Sequence, residues 1–204
     1  MIEKPSAPAT ERNSSSILGV LRIEFRGCRS VLEIGSGTGQ HAVTFASELP
    51  HLTWQTSDLD ENHEGIHAWL AAANLPNVRR PLSLDVMSAS ATAHSYDGVY
   101  SSNTAHIMSY AAVVKMFVLV GRVLQDDGVF CLYGPFRQNG RFSTQSNASF
   151  HDSLVTRDSA MGIRELEDLD ALAIDAGLHR SGLYAMPANN LLAVWRRITP
   201  RRTS

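Results

Sequence analysis

A Rossmann-like α/β fold, with a doubly wound, mostly parallel seven-stranded sheet and an antiparallel C-terminal edge hairpin, is predicted by three features of the sequence. Strand-like apolar runs at 31–34, 52–56, 78–84, 96–101 and 129–133 largely alternate with helical patterns, as in a parallel sheet covered on both faces. The first run breaks into Gly35-Ser36-Gly37-Thr38-Gly39 and then opens a helix, a turn that belongs at the carboxyl edge of such a sheet. The last two runs, 179–186 and 191–197, are joined by a short Pro-Ala-Asn-Asn segment. That is too short for a crossover helix and suits a hairpin.

Residues 1–14, with Pro, Ser and Ala prominent, read as an N-terminal tail, after which Ile17, Leu18, Val20 and Leu21 give a short helical pattern. Helices are expected over 39–49 and 61–73, and Val113, Val114, Phe117, Val118 and Leu124 stripe a third. Asp126-Asp127-Gly128 marks the turn into the fifth strand. Residues 136–157 carry few apolar side chains, with Phe142, Phe150 and Leu154 as anchors, and read as a loop able to close as a lid. Leu166, Leu169, Leu172, Ala173 and Ala176 mark the final helix and Gly177 its left-handed cap. Arg196, Arg197, Arg201 and Arg202 read as a solvated basic end. The 204 residues are expected to form one domain.

The charge balance excludes one class of function. A formal charge of −2 gives no basic excess for general attraction to nucleic acid or an acidic membrane. Cys28 and Cys131 are far apart and match no zinc or redox spacing, so no metal is expected. The N-terminus has no secretory pattern and no run is apolar long enough to span a bilayer, so a cytoplasmic location is expected.

The glycine loop alone is equally a tight strand-to-helix turn. Its companions decide the reading: Glu33 inside the first strand, Asp58 after the second and Asp85 after the third place three acids near adjacent strand ends. Gly37-Thr38-Gly39-Gln40-His41-Ala42 also satisfies a dinucleotide fingerprint. However, an acid beside the loop suits a cationic ligand better than a pyrophosphate, since two anions in one desolvated site repel.

This combination, Glu33-x-Gly35-x-Gly37-x-Gly39 followed by Asp58 and Asp85, resembles the class I S-adenosylmethionine-dependent methyltransferases. The resemblance implies S-adenosylmethionine as cofactor. It places Gly35, Ser36, Gly37 and Gly39 under the methionine part and Asp58 on the ribose. Leu59 then packs on adenine, with Asp85 and Val86 at its amino group. A closer resemblance, to the methyltransferase-like 26 family of uncharacterised methyltransferases, covers almost the whole chain. It rests on Pro8-Ala9-Thr10-Glu11-Arg12-Asn13, Gly39-Gln40-His41, Trp54-Gln55-x-Ser57-Asp58 and Asn103-x-Ala105-His106. Tyr133-Gly134-Pro135-Phe136, Gln145-Ser146-Asn147 and Met186-Pro187-Ala188-Asn189-Asn190 complete it.

The segment after the fourth strand, Ser101-Ser102-Asn103-Thr104-Ala105-His106, falls where such enzymes meet the acceptor. It has no Asn-Pro-Pro-Tyr signature, which lowers a nucleic-acid reading. Asn103 is assigned to the cofactor. His106 is the candidate base, or else a helix cap. His41, after the loop, either touches the methionine carboxylate or closes the helix terminus. Arg12, Asn13, Tyr133, Asn139, Asn147, Asn189 and Asn190 come from segments that a parallel sheet gathers at one edge, as a pocket for a neutral polar small molecule. The leading expectation is a small-molecule methyltransferase. The alternatives are a non-catalytic S-adenosylmethionine-binding or interaction protein, or a protein methyltransferase. The oligomeric state stays open.

Overall fold

The computed structural model describes residues 4–88 and 95–197. In chain order these form α1 (Pro8–Glu24), β1 (Ser30–Ile34), α2 (Gln40–Glu48), β2 (Thr53–Asp58), α3 (His63–Ala73), β3 (Val78–Ser83), β4 (Tyr96–Ser102), α4 (Tyr110–Val123) and β5 (Leu124–Gly134). There follow β6 (Phe136–Arg137), α5 (Gln145–Arg157), β7 (Arg164–Glu165), α6 (Leu166–Asp175), β8 (Leu178–Met186) and β9 (Asn190–Arg197). Arg201 and Arg202 of the expected basic end lie outside the described residues. No helix among the described residues is long and apolar enough to cross a membrane.

Seven strands form one sheet in the order β3-β2-β1-β4-β5-β9-β8. The first five are parallel, while β9 runs antiparallel to both β5 and β8, giving the expected edge hairpin. The order reverses around β1, whose neighbours are β2 and β4. Such a switch point opens a crevice at the strand ends.

Two apolar layers hold the sheet. Ile17 and Leu21 of α1, Phe25 just after it and Phe45 of α2 bury against Trp54 and Tyr100. On the other layer Phe117 and Val120 of α4 and Leu166 and Leu169 of α6 bury with Phe130 and Trp195. The indole N–H groups of the two buried tryptophans are satisfied, Trp54 donating to Glu33 (3.0 Å) and Trp195 to Asp170 (2.9 Å).

Three expectations need correction. The tail expected over 1–14 is helical from Pro8, because Pro8 occupies the first turn, where its missing N–H costs nothing, and the apolar face from Ile17 onward docks the helix. The loop expected over 136–157 contains α5, started by Thr144, whose hydroxyl accepts from the Asn147 amide. Pairing of β6 with β7 pins both ends of this excursion. The Asp126-Asp127-Gly128 turn is present, with Asp127 at φ 60, but it lies inside β5 as a register shift, and Leu124 already pairs with Tyr96.

Candidate active site

The glycine loop is tied across the switch point. The amides of Gly35 and Ser36 both donate to the Ser57 carbonyl (3.0 and 2.9 Å), and the Gly37 amide donates to Asp58 Oδ2 (2.6 Å). Gly35 has φ +74, and a Cβ there would stand 2.7 Å from Thr104 Cγ2. Thr104 is fixed in turn, its hydroxyl 2.7 Å from Ser101 Oγ, which donates to the Ile34 carbonyl. Gly35 is therefore required by the loop after β4 before any ligand is considered. Gly39 does not border the cavities on either side of the loop. A Cβ there would lie 3.0 Å from the Ile66 backbone, so Gly39 serves the approach of α2 to α3.

Two cavities open on either side of this loop and share Gly35, Gly37, Ser102 and Asn103. The first, about 670 Å³, is bounded by Asp58, Leu59, Asp85 and Val86, with Ile107 and Met108 beyond them. Its apolar walls with carboxylates at the rim suit a flat heteroaromatic ring joined to a sugar. The second, about 740 Å³, is bounded by Glu33, Ser36, His41, Asn103 and His106, by Thr10 and Arg12 of α1, by Asn147 and Phe150 of α5, and by Asn190. Asn103 stands at the junction with φ 58, and its amide donates to the Tyr133 carbonyl (2.9 Å).

The three acids differ in environment. Glu33 is 2% exposed, and a single oxygen, Oε2, receives both Trp54 Nε1 (3.0 Å) and Ser36 Oγ (2.9 Å). Burial lifts its carboxyl to about 7, against the two hydrogen bonds that favour the anion. Ser36 therefore acts by orienting Glu33. Asp58 accepts from Gly37, from the Leu59 amide (2.8 Å) and from Asn62 Nδ2 (2.8 Å). A carboxylate offers about four lone-pair sites, so a ribose diol bound through both hydroxyls would have to displace one of these donors. Asn62, four residues on in sequence and also lining the first cavity, is the side chain free to swing away. Asp85 is exposed and accepts from the Met87 amide (2.9 Å).

The histidines belong to the second cavity. His106 is buried, its ring edge-on to Phe150 with centroids 5.4 Å apart, and its carbonyl accepts from the Gly162 amide (2.9 Å). Burial, then Arg164 and Arg157, hold its pKa down to about 4. His41, stacked on Phe45 and 2.8 Å through Nε2 from Asn13 Oδ1, is likewise lowered to about 4 by burial. Both rings are thus neutral near pH 7.

Other expected residues act from behind the wall. Tyr133 is 2% exposed and borders neither cavity. Its hydroxyl accepts from Asn190 Nδ2 (3.0 Å) and interacts with Asn13. Asn189, at φ 60, contributes its carbonyl, which accepts from Asn147 Nδ2 (3.0 Å). Asn13 orients His41. Asn139 lies away from both cavities, its amide donating to Glu167. Sequence reasoning missed Asn62, Met108 and Met161, whose positions depend on long-range packing. Asn62 alone had a local signal, its spacing from Asp58.

With a glycine-rich loop at the switch point, Glu33 within β1, Asp58 closing β2 and Asp85 after β3, the chain has a Rossmann-like methyltransferase fold. An O-methyltransferase family protein from Burkholderia thailandensis is similar with TM-score 0.82 and 17% identity, over 95% of this chain and 58% of that chain. The mitomycin 7-O-methyltransferase MmcR follows at 0.81 and 14%, over 93% and 54%. Human N-acetylserotonin methyltransferase, solved in complex with SAM, matches at 0.77 and 12%, over 94% and 53%. The chain thus spans little more than half the length of these structures. Residues 4–197 match the family described as "Protein of unknown function (DUF938)". The chain belongs to that family.

Proposed function

We propose that the protein is an S-adenosylmethionine-dependent methyltransferase acting on a small molecule. The observation that carries this reading is the pair of cavities joined at Gly35, Gly37 and Asn103, one with nucleoside chemistry and one with polar acceptor chemistry. The residues fit the cofactor. Glu33 has its second carboxylate oxygen unused by Trp54 and Ser36 and borders the second cavity, as a cationic amino group requires. A dinucleotide fits less well, because its pyrophosphate would meet this buried acid. The three similar structures are methyltransferases by name, and the one solved with SAM shows that this fold accommodates it. The finer resemblance to the methyltransferase-like 26 family is supported by the convergence of Arg12, His41, Asn103, His106, Asn147 and Asn190 on one cavity.

When bound, the cofactor supplies a sulfonium-activated methyl group. Glu33 and Asp58 hold its two ends, while Leu59, Val86 and Ile107 exclude water from the ring site. Asn103, expected on the cofactor, lies where the two cavities meet, within reach of cofactor and acceptor alike. His106, neutral near pH 7, is able to receive a hydrogen bond or a proton from the acceptor. With its pKa near 4 it is a weak base, so its contribution is chiefly orientation.

The test is transfer of radiolabel from S-adenosylmethionine in a cell extract supplemented with the purified protein. Label in the low-mass fraction supports the reading. Label in protein alone turns it to a protein methyltransferase, and no label in either fraction supports a binding protein without turnover.

A further inference from the structure

The charged groups around the second cavity are unevenly committed. Glu33 is buried below the glycine loop and bonded to Trp54 and Ser36. Arg164 spends its guanidinium on the carbonyls of Ala105, Met108 and Ala160. Arg157, whose charge acts on His106, donates to Met161 Sδ, and away from the cavity Arg22, Arg137, Arg180, Arg196 and Arg197 each face a carboxylate. Arg12 stands exposed at the cavity mouth and, among the described residues, makes neither an ion pair nor a hydrogen bond. The remaining polar rim is neutral: Ser146, Asn103, Asn147 and Asn190.

We propose that Arg12 binds a carboxylate, and that this carboxylate is carried by the methyl acceptor; the inference rests on the methyltransferase reading above. A guanidinium presents a planar fork that matches a carboxylate with two parallel hydrogen bonds. Arg12 is the one Lys or Arg side chain bordering this cavity among the described residues, and a single guanidinium beside amides suits a monoanion, whereas a phosphate dianion asks for more positive charge. The position of Arg12 favours the acceptor over the cofactor's own carboxylate. Its neighbour Asn13 meets both Tyr133, which accepts from Asn190 at the β9 rim, and His41 at the glycine loop, whereas Arg12 itself stands exposed at the cavity mouth. The glycine-loop end of the cavity is closed by the buried Glu33, Ser36 and His41. The neutral polar acceptor expected from the asparagines thus becomes a polar acceptor with one negative end.

The test uses the full chain saturated with S-adenosylhomocysteine and titrated with matched acid and amide probes: benzoate with benzamide, and cinnamate with cinnamamide. The acids should bind about tenfold more tightly than the amides. Arg12→Gln should abolish that preference while leaving S-adenosylhomocysteine affinity unchanged, and Arg12→Lys should keep part of it. Acids bound no better than amides, silence included, overturn the proposal. So does a preference that survives in Arg12→Gln, or an Arg12→Gln effect that falls on S-adenosylhomocysteine, which would assign Arg12 to the cofactor's carboxylate. Failure of the wild-type protein to bind S-adenosylhomocysteine would instead defeat the methyltransferase reading itself.

Discussion

Glu33 concentrates the chemistry at the scale of the residue. A carboxyl held near 7 by burial is half protonated where the protein is expected to work. A cationic amino group needs the ionised form. Affinity for S-adenosylhomocysteine should therefore fall as pH is lowered from 7.5 to 5.5. In Glu33→Gln affinity should be about tenfold weaker at pH 7.5 and nearly flat with pH, and an unchanged pH slope by calorimetry would remove Glu33 from the site. Gly35 makes a second residue-scale prediction. Gly35→Ala should cost about 1–3 kcal/mol in denaturant unfolding, from the positive φ and the Thr104 contact together. Adding Thr104→Ser, which deletes Cγ2 but keeps the hydroxyl toward Ser101, should recover the steric part only. The type of these residues was legible in the sequence; their bonding was not. Asp58 could be placed at the loop from spacing, but its grip on the Gly37 amide follows from the β1–β2 register. Tyr133 looked like a wall residue and proved to support the wall from behind.

Among the elements, α5 carries the most information about access to the site. Asn147, Phe150 and Ser146 on this helix border the second cavity, and Leu154 anchors it in the interior. Thr144 caps it. Thr144→Ala should weaken the helix by about 1 kcal/mol, seen as faster amide exchange across residues 145–157 with little change in β1–β4. Uniform exchange throughout the chain would show that α5 has no independent opening. The helix was hard to read because its apolar side is thin and its start depends on one hydroxyl. For α1, the Pro, Ser and Thr of the first turn concealed a helix that tertiary docking stabilises. The parallel strands and α2, α3, α4 and α6 were legible because their periodicity is local and their caps and glycines mark the ends.

Across the whole molecule, burial of ionisable groups at one sheet edge couples the site to stability. His41 and His106, held near 4, keep their stabilising contribution above about 6.5 and lose it as pH falls toward 4. Glu33, held near 7, acts in the opposite direction, its contribution falling as pH rises from 4.5 to 7. Two histidines outweigh one carboxyl, so these groups destabilise the protein between pH 6.5 and 4.5. The loss should be steeper in Glu33→Gln, by up to about 1.4 kcal/mol per pH unit. Equal slopes in urea unfolding would mean that Glu33 titrates normally.

The most direct measurement is calorimetric titration of the purified protein with S-adenosylmethionine, S-adenosylhomocysteine and NAD in parallel. Micromolar-range binding of the two adenosyl ligands, roughly −8 kcal/mol, with no heat from NAD is the expected result. Binding of NAD alone, or silence from all three, would contradict the cofactor assignment on which the proposed function stands.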